Sequence, residues 1–187
     1  MLNNIESSII EFLQTNASTN WITLFQIITL FGSYLGFIIV FIVLFFRERK
    51  LSYAFVITFV IASVFNKILK IIIARDRPFV DNYEILNLGG ADGYSMPSGH
   101  SLCAGIYATY IFYLIMIYSR FKSTKIFGGI FCSLFVILIA YSRMVLGVHY
   151  LSDTIVGASL GIIFSIISII IYKKLINKKV KKKIEKE

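Results

Sequence analysis

The stretch FLQTNASTNWITLFQIITLFGSYLGFIIVFIVLFF, residues 12–46, runs for 35 residues without a charged side chain. A helix crosses the hydrocarbon core of a bilayer with about 20 apolar residues, so this run holds a span, placed near 22–46. Four further apolar runs follow, from Leu51 to about Ala74, then near 101–119, 126–146 and 149–172. The whole chain is 57% hydrophobic and only 16% charged, where soluble domains are about a quarter charged. The expectation is an all-α polytopic membrane helix bundle with five transmembrane spans.

Outside the spans the chain divides simply. Residues 1–20 read as an amphipathic helix lying at the membrane interface, with Ile5, Ile9, Phe12 and Leu13 at helical spacing. Residues 21–172 form the transmembrane domain, and 173–187 form a basic tail with eight Lys and two Glu. Beside a membrane helix such a tail is held near anionic lipid. No nucleic-acid motif accompanies it, so membrane lipids and not nucleic acid are the expected partners. The first 46 residues lack Lys and Arg, so no cleavable signal peptide is expected. Cys103 and Cys132 have neither disulfide nor metal-ligand spacing and read as packing residues. Asp81, Glu84 and Asp92 fit no Ca²⁺ loop and read as solvated.

Charge sets the orientation. The turn at 47–50, the turn at 119–125 and the tail together carry 14 of the 19 basic residues. The positive-inside rule makes that side cytoplasmic. The N-terminus and the loops 75–100 and 146–149 then face outward.

Polar residues within or beside these spans are costly, and they follow a pattern. Lys70 and Arg77 lie seven apart, two helical turns, with Pro78 expected to stop the helix. Lys67 either shares that face or snorkels to the interface. Pro97-Ser98-Gly99-His100 precedes the third span, with Ser98 as a helix cap and the free N–H groups of the first turn as an anion site. Ser142-Arg143 is followed by His149 and Asp153, spaced i, i+4 on a helix face. A carboxylate taking a proton bond from one imidazole nitrogen leaves the other free as nucleophile or base. The topology brings all of these to one side of the membrane. Three cations crowd together only around an anion, and phosphate matches them in charge and in acceptor oxygens.

The set Lys70-x6-Arg77-Pro78, Pro97-Ser98-Gly99-His100 and Ser142-Arg143-x5-His149-x3-Asp153 resembles the three-part signature of the type-2 phosphatidic acid phosphatase superfamily. That superfamily also holds soluble vanadium haloperoxidases and bacterial acid phosphatases. The resemblance implies a haloperoxidase-like helical core around a phosphatase site that needs no metal or other cofactor. His149 would attack phosphorus and form a phosphohistidine, oriented by Asp153. His100 would protonate the leaving oxygen and then activate water. Lys70, Arg77, Ser98, the Gly99 N–H and Arg143 would hold the non-bridging oxygens. Many bacterial members have six spans, against five here with an interfacial helix. The implied substrate is a lipid phosphate met at the outer face: undecaprenyl diphosphate first, then phosphatidylglycerophosphate or phosphatidic acid. Lipid phosphotransfer and non-enzymatic anion binding are the alternatives.

Overall fold

The apolar runs become helices in the computed structural model, which describes residues 2–184. In chain order these are α1 (Leu2–Thr15), α2 (Thr19–Leu30), α3 (Tyr34–Arg47), α4 (Arg49–Ile73), α5 (Pro78–Asp81), α6 (Gly99–Tyr118), α7 (Lys122–Val145) and α8 (Leu151–Ile184). The protein is an all-α, multi-pass membrane bundle. α4, α6, α7 and α8 are each long and apolar enough to cross a membrane. The outer faces of α4, α7 and α8 expose Ile57, Ile61, Ile130, Leu134, Ile163 and Ile167, as lipid contact requires.

The first span is broken. α2 and α3 meet at a 44° bend. Gly32 and Ser33 lie at the joint, the kind of pair at which helices kink. Backbone groups freed inside a membrane need partners, and here they find them. Gly32 N donates to Thr29 O, the Ser33 hydroxyl donates to Leu30 O, and Tyr107 Oη donates to Ser33 O. Together α2 and α3 reach from one end of the bundle to the other. Gln26, on α2, donates to Leu88 O at one end of the bundle. At the other end, Tyr118 at the close of α6 donates to Arg47 O and to Glu48 Oε1.

α6 is the hub. Leu102, Ala104, Ile106, Tyr107 and Tyr110 along it are all nearly inaccessible. Lipid tails are as apolar as leucine, so close packing and interhelical hydrogen bonds must hold a membrane bundle together. Both are present. Tyr110 Oη lies 2.8 Å from Thr58 Oγ1 and donates to Ser168 Oγ at 2.9 Å, tying α4, α6 and α8 together. Each such bond contributes about 0.6 kcal/mol in a membrane. Phe55, Tyr107, Leu102 and Ile106 fill the core around it.

Gly157 and Gly161 on α8 set the closest approach. A Cβ at Gly157 would strike Ser98 O, and one at Gly161 would strike Leu102 O. The small-xxx-small spacing lets the α8 backbone lie directly on the start of α6. Ser98 N donates to Asp153 O at 3.0 Å across this seam. The seam therefore fixes the entry of α6 against the entry of α8.

Three local expectations change. α4 ends at Ile73, with Ala74 in the left-handed region at φ 48°. Arg77 therefore lies on extended chain beyond α4, not two turns above Lys70 on one face, and Pro78 opens α5 instead of closing α4. α8 begins at Leu151, so His149 precedes the helix that carries Asp153. The last helix runs on to Ile184, through most of the segment set apart as a basic tail; residues 185–187 of that segment lie outside the described residues.

Candidate active site

Every chemically distinctive residue of the three motifs sits at one end of the bundle. α4 brings Lys70 there near its C-terminus, α6 brings His100 in its first turn, α7 brings Arg143 in its last turn, and α8 brings Asp153 in its first turn. The basic turns at 47–50 and 119–125 lie at the other end.

His149 sits on the link between α7 and α8. That link turns at Gly147, whose φ of +72° is open to glycine and strained for other residues. The imidazole is almost wholly buried, at 3% exposure. Its Nδ1 lies 3.5 Å from Asp153 Oδ2, and its Nε2 lies 3.4 Å from Arg77 Nη1. The first distance is at the outer limit of a hydrogen bond, and among the described residues Nδ1 has no closer partner. The ring is thus aimed: one nitrogen at a carboxylate, the other at the cations. Burial, foremost, and the charges of Arg143 and Arg77 push the His149 pKa down to about 3, against the opposing pull of Asp153. His149 is therefore a neutral imidazole at physiological pH, the form able to act as a nucleophile.

Asp153 has no exposed surface. Its Oδ2 accepts from Tyr150 N at 2.9 Å and its Oδ1 accepts from Arg75 Nη1 at 2.7 Å. Both oxygens are pinned, so the carboxylate cannot rotate away from His149.

Lys70 and Arg77 are held by backbone carbonyls. Lys70 Nζ donates to Tyr94 O and Ser95 O. Arg77 donates through Nε to Gly93 O, through Nη2 to Asp92 O and through Nη1 to Val148 O. The loop carrying Asp92 thus works through its main chain. Among the described residues Arg143 uses only Nη1, on Thr29 Oγ1 at 2.9 Å, and its buried Nε has no partner. A lysine offers three donors and an arginine five, so all three cations keep N–H groups uncommitted. Lys67 is exposed.

Ser98 caps α6. Its Oγ accepts from Ser101 N at 3.4 Å and from Ser101 Oγ at 3.2 Å. Gly99 and His100 follow in the first turn, where backbone N–H groups lack helical partners and the helix dipole is positive. His100 is half-buried and within electrostatic reach of Arg143, His149, Arg77 and Lys70. Two imidazoles, three cations and a helix N-terminus therefore converge, which is the equipment for binding a tetrahedral oxyanion and displacing a group from it.

Several contributors escaped the sequence reading. Arg75 bridges Asp153 and Glu6. Thr29 orients Arg143 across 114 residues of chain. Asn66, one turn before Lys70, turns its Nδ2 toward Gly99 and buries an Oδ1 with no partner among the described residues. For Arg75 a signal existed, a third basic residue within 70–77 with no role. For Glu6 and Thr29 none did. Asp81, read as solvated, accepts from Tyr150 Oη at 2.6 Å.

The PAP2 superfamily model matches residues 49–177 of the chain. An undecaprenyl-diphosphatase from Sulfolobus acidocaldarius is 35% identical over 130 residues, which cover 68% of this chain and 58% of that protein. A phosphatidylglycerophosphatase B from Bacillus subtilis is 29% identical over 120 residues, covering 64% and 57%. The chain thus spans a little over half the length of these relatives. Its fold is similar to that of a transmembrane PAP2-type phosphatidylglycerolphosphate phosphatase from Bacillus subtilis, with a TM-score of 0.79 at 22% identity over 92% of this chain and 87% of that one.

Proposed function

This chain belongs to the PAP2 superfamily, and from that premise and the geometry of the site we propose that it hydrolyses a lipid phosphate through a phosphohistidine intermediate. The observation that carries the reading is the aim of His149, with Nδ1 toward the fixed carboxylate of Asp153 and Nε2 toward Arg77.

In the first step Nε2 of His149 forms a bond to phosphorus as the bond to the leaving oxygen breaks. His100 supplies the proton that the leaving oxygen takes. The imidazole gains positive charge as it is phosphorylated, and Asp153 stabilises that charge. In the second step His100 takes a proton from water. The oxygen of that water bonds to phosphorus as the N–P bond breaks, and inorganic phosphate leaves. Lys70, Arg77, Arg143, the Ser98 hydroxyl and the Gly99 N–H face the non-bridging oxygens and offset their charge in both transition states. These residues supply the charge that a divalent metal supplies elsewhere, so the reaction runs without one.

The substrate places its headgroup among the cations and leaves its tail in lipid. Undecaprenyl diphosphate is the first candidate, supported by the relative named as an undecaprenyl-diphosphatase. Phosphatidylglycerophosphate and phosphatidic acid follow. The site opens outward and the C-terminus is cytoplasmic, a reading supported by the basic residues gathered at the opposite end. α1 keeps Ile5, Ile9 and Phe12 exposed as an apolar stripe, which supports its place at the membrane interface.

The test is phosphate release by the purified protein from these three lipids, with EDTA present, beside His149→Ala. Release from undecaprenyl diphosphate that vanishes in the variant is expected. Activity retained by His149→Ala contradicts the mechanism, and release from none of the lipids contradicts the function.

A further inference from the structure

Glu6 is an acid on the N-terminal helix, 147 positions before Asp153 and outside all three motifs, yet its side chain is buried at 5% exposure. Its Oε2 accepts from Arg75 Nη2 at 2.8 Å and from Ser152 Oγ at 3.0 Å. Its Oε1 accepts from Ser152 N at 2.7 Å, one of the free N–H groups in the first turn of α8. Arg75 completes the chain. Its Nη1 donates to Asp153 Oδ1 at 2.7 Å and to Ser152 Oγ at 2.6 Å, and its guanidinium lies 3.9 Å above the Tyr150 ring. A continuous path thus runs Glu6, Arg75, Asp153, His149.

We propose that Glu6 and Arg75 are positioning residues for the reaction, and that α1 is a working part of the active site because it delivers Glu6. The inference rests on the phosphatase reading above.

The physical reason lies in how Arg75 is shared. A guanidinium resting on Asp153 alone would neutralise the carboxylate and weaken its hold on the imidazolium that forms at His149. Glu6 draws part of that charge away and fixes the planar fork between two carboxylates. Asp153 then keeps Oδ1 anchored while Oδ2 faces the imidazole. The Tyr150 ring beneath and Ser152 beside it hold the Arg75 guanidinium in place next to Asp153. Loss of Glu6 or Arg75 should therefore spare substrate binding and slow chemistry, since misplacing a catalytic group by about 1 Å costs on the order of 10²-fold.

The experiment uses the full-length protein in detergent micelles with farnesyl diphosphate and dioleoylphosphatidic acid as probes. The variants are Glu6→Gln, Arg75→Met, Arg75→Ala and Arg75→Lys beside His149→Ala, and phosphate-induced thermal shifts report whether the cage still forms. Glu6→Gln and Arg75→Met are expected to lower kcat by about 10–100-fold with KM within about twofold and the thermal shift kept. Arg75→Ala should regain activity on addition of guanidinium ion, and Arg75→Lys should recover part of it. Unchanged kcat in Glu6→Gln and Arg75→Met, with His149→Ala inactive, overturns the proposal. Loss of the thermal shift together with kcat, and no rescue by guanidinium, also overturns it by reducing the path to a scaffold. Turnover by His149→Ala overturns the phosphohistidine mechanism instead, and no turnover by wild type overturns the phosphatase reading.

Discussion

Replacing Arg143 by methionine should stabilise the empty protein and cripple its affinity for phosphate. Arg143 is 3% exposed, and among the described residues it bonds only to the Thr29 hydroxyl and leaves Nε unpartnered; it shares its surroundings with Arg77. A buried cation without a carboxylate carries a desolvation penalty that nothing repays until an anion arrives. Methionine has similar length and no such penalty; replacing even buried ion pairs by packed apolar groups is often neutral or stabilising by about 1–4 kcal/mol. The lost hydrogen bonds act on the ligand side. Each charged bond contributes about 1.5–3 kcal/mol, so one bond lost weakens phosphate binding by roughly 10–150-fold at about 1.4 kcal/mol per tenfold. Thermal unfolding in detergent reads both effects. At a phosphate concentration about 100 times Kd the wild type gains about 2.7 kcal/mol, or roughly 5–11 °C in Tm for a chain of this size. At that concentration the variant should gain only about 0.3–1.4 kcal/mol, roughly 1–6 °C, and without phosphate it should melt at or above the wild type. A variant that melts lower in the absence of phosphate and keeps the full phosphate shift would refute the reasoning.

Asp153→Asn places an amide NH₂ against either Arg75 or Tyr150 N, both donors; kcat should fall on the order of 10⁴-fold, as when a triad carboxylate becomes an amide, measured by phosphate release. Gly161→Leu forces the α8 side chain into the α6 backbone at Leu102; strong destabilisation, of about 3 kcal/mol or more, is expected in thermal unfolding, with milder loss for Gly161→Ala. His149 in the empty enzyme should stay neutral at about pH 5, where an ordinary histidine is protonated. The unfolded chain binds that proton and the folded one does not, so the His149 contribution to stability falls as pH drops from about 6.5 toward about 3. Nitrogen NMR of the labelled imidazole checks the titration.

The class of fold was legible because lipid imposes a crude rule, an unbroken apolar run for each crossing. The motif residues were legible because charge in such runs is rare and therefore informative. Local geometry was not. The helical spacing of Lys70 and Arg77 assumed a helix that Ala74 ends, and the spacing of His149 and Asp153 assumed one that starts two residues later. Both pairs still reach the site, because loop carbonyls and the turn at Gly147 do the placing. The 35-residue charge-free run concealed its own break at Gly32 and Ser33. Gly157 and Gly161 were visible as letters, but their partner backbone on α6 was not. Glu6 meets Arg75 across 69 positions, a contact that no periodicity encodes.

The most direct measurement is capture of the covalent intermediate. Protein carrying His100→Ala, which slows release, is mixed with radiolabelled lipid phosphate, quenched in alkali and digested, and the label is located by mass spectrometry. An acid-labile phosphate on the peptide bearing His149, absent when His149 is also replaced, is the predicted result. Hydrolysis that proceeds with no label on His149, or with label on another residue, would contradict the account.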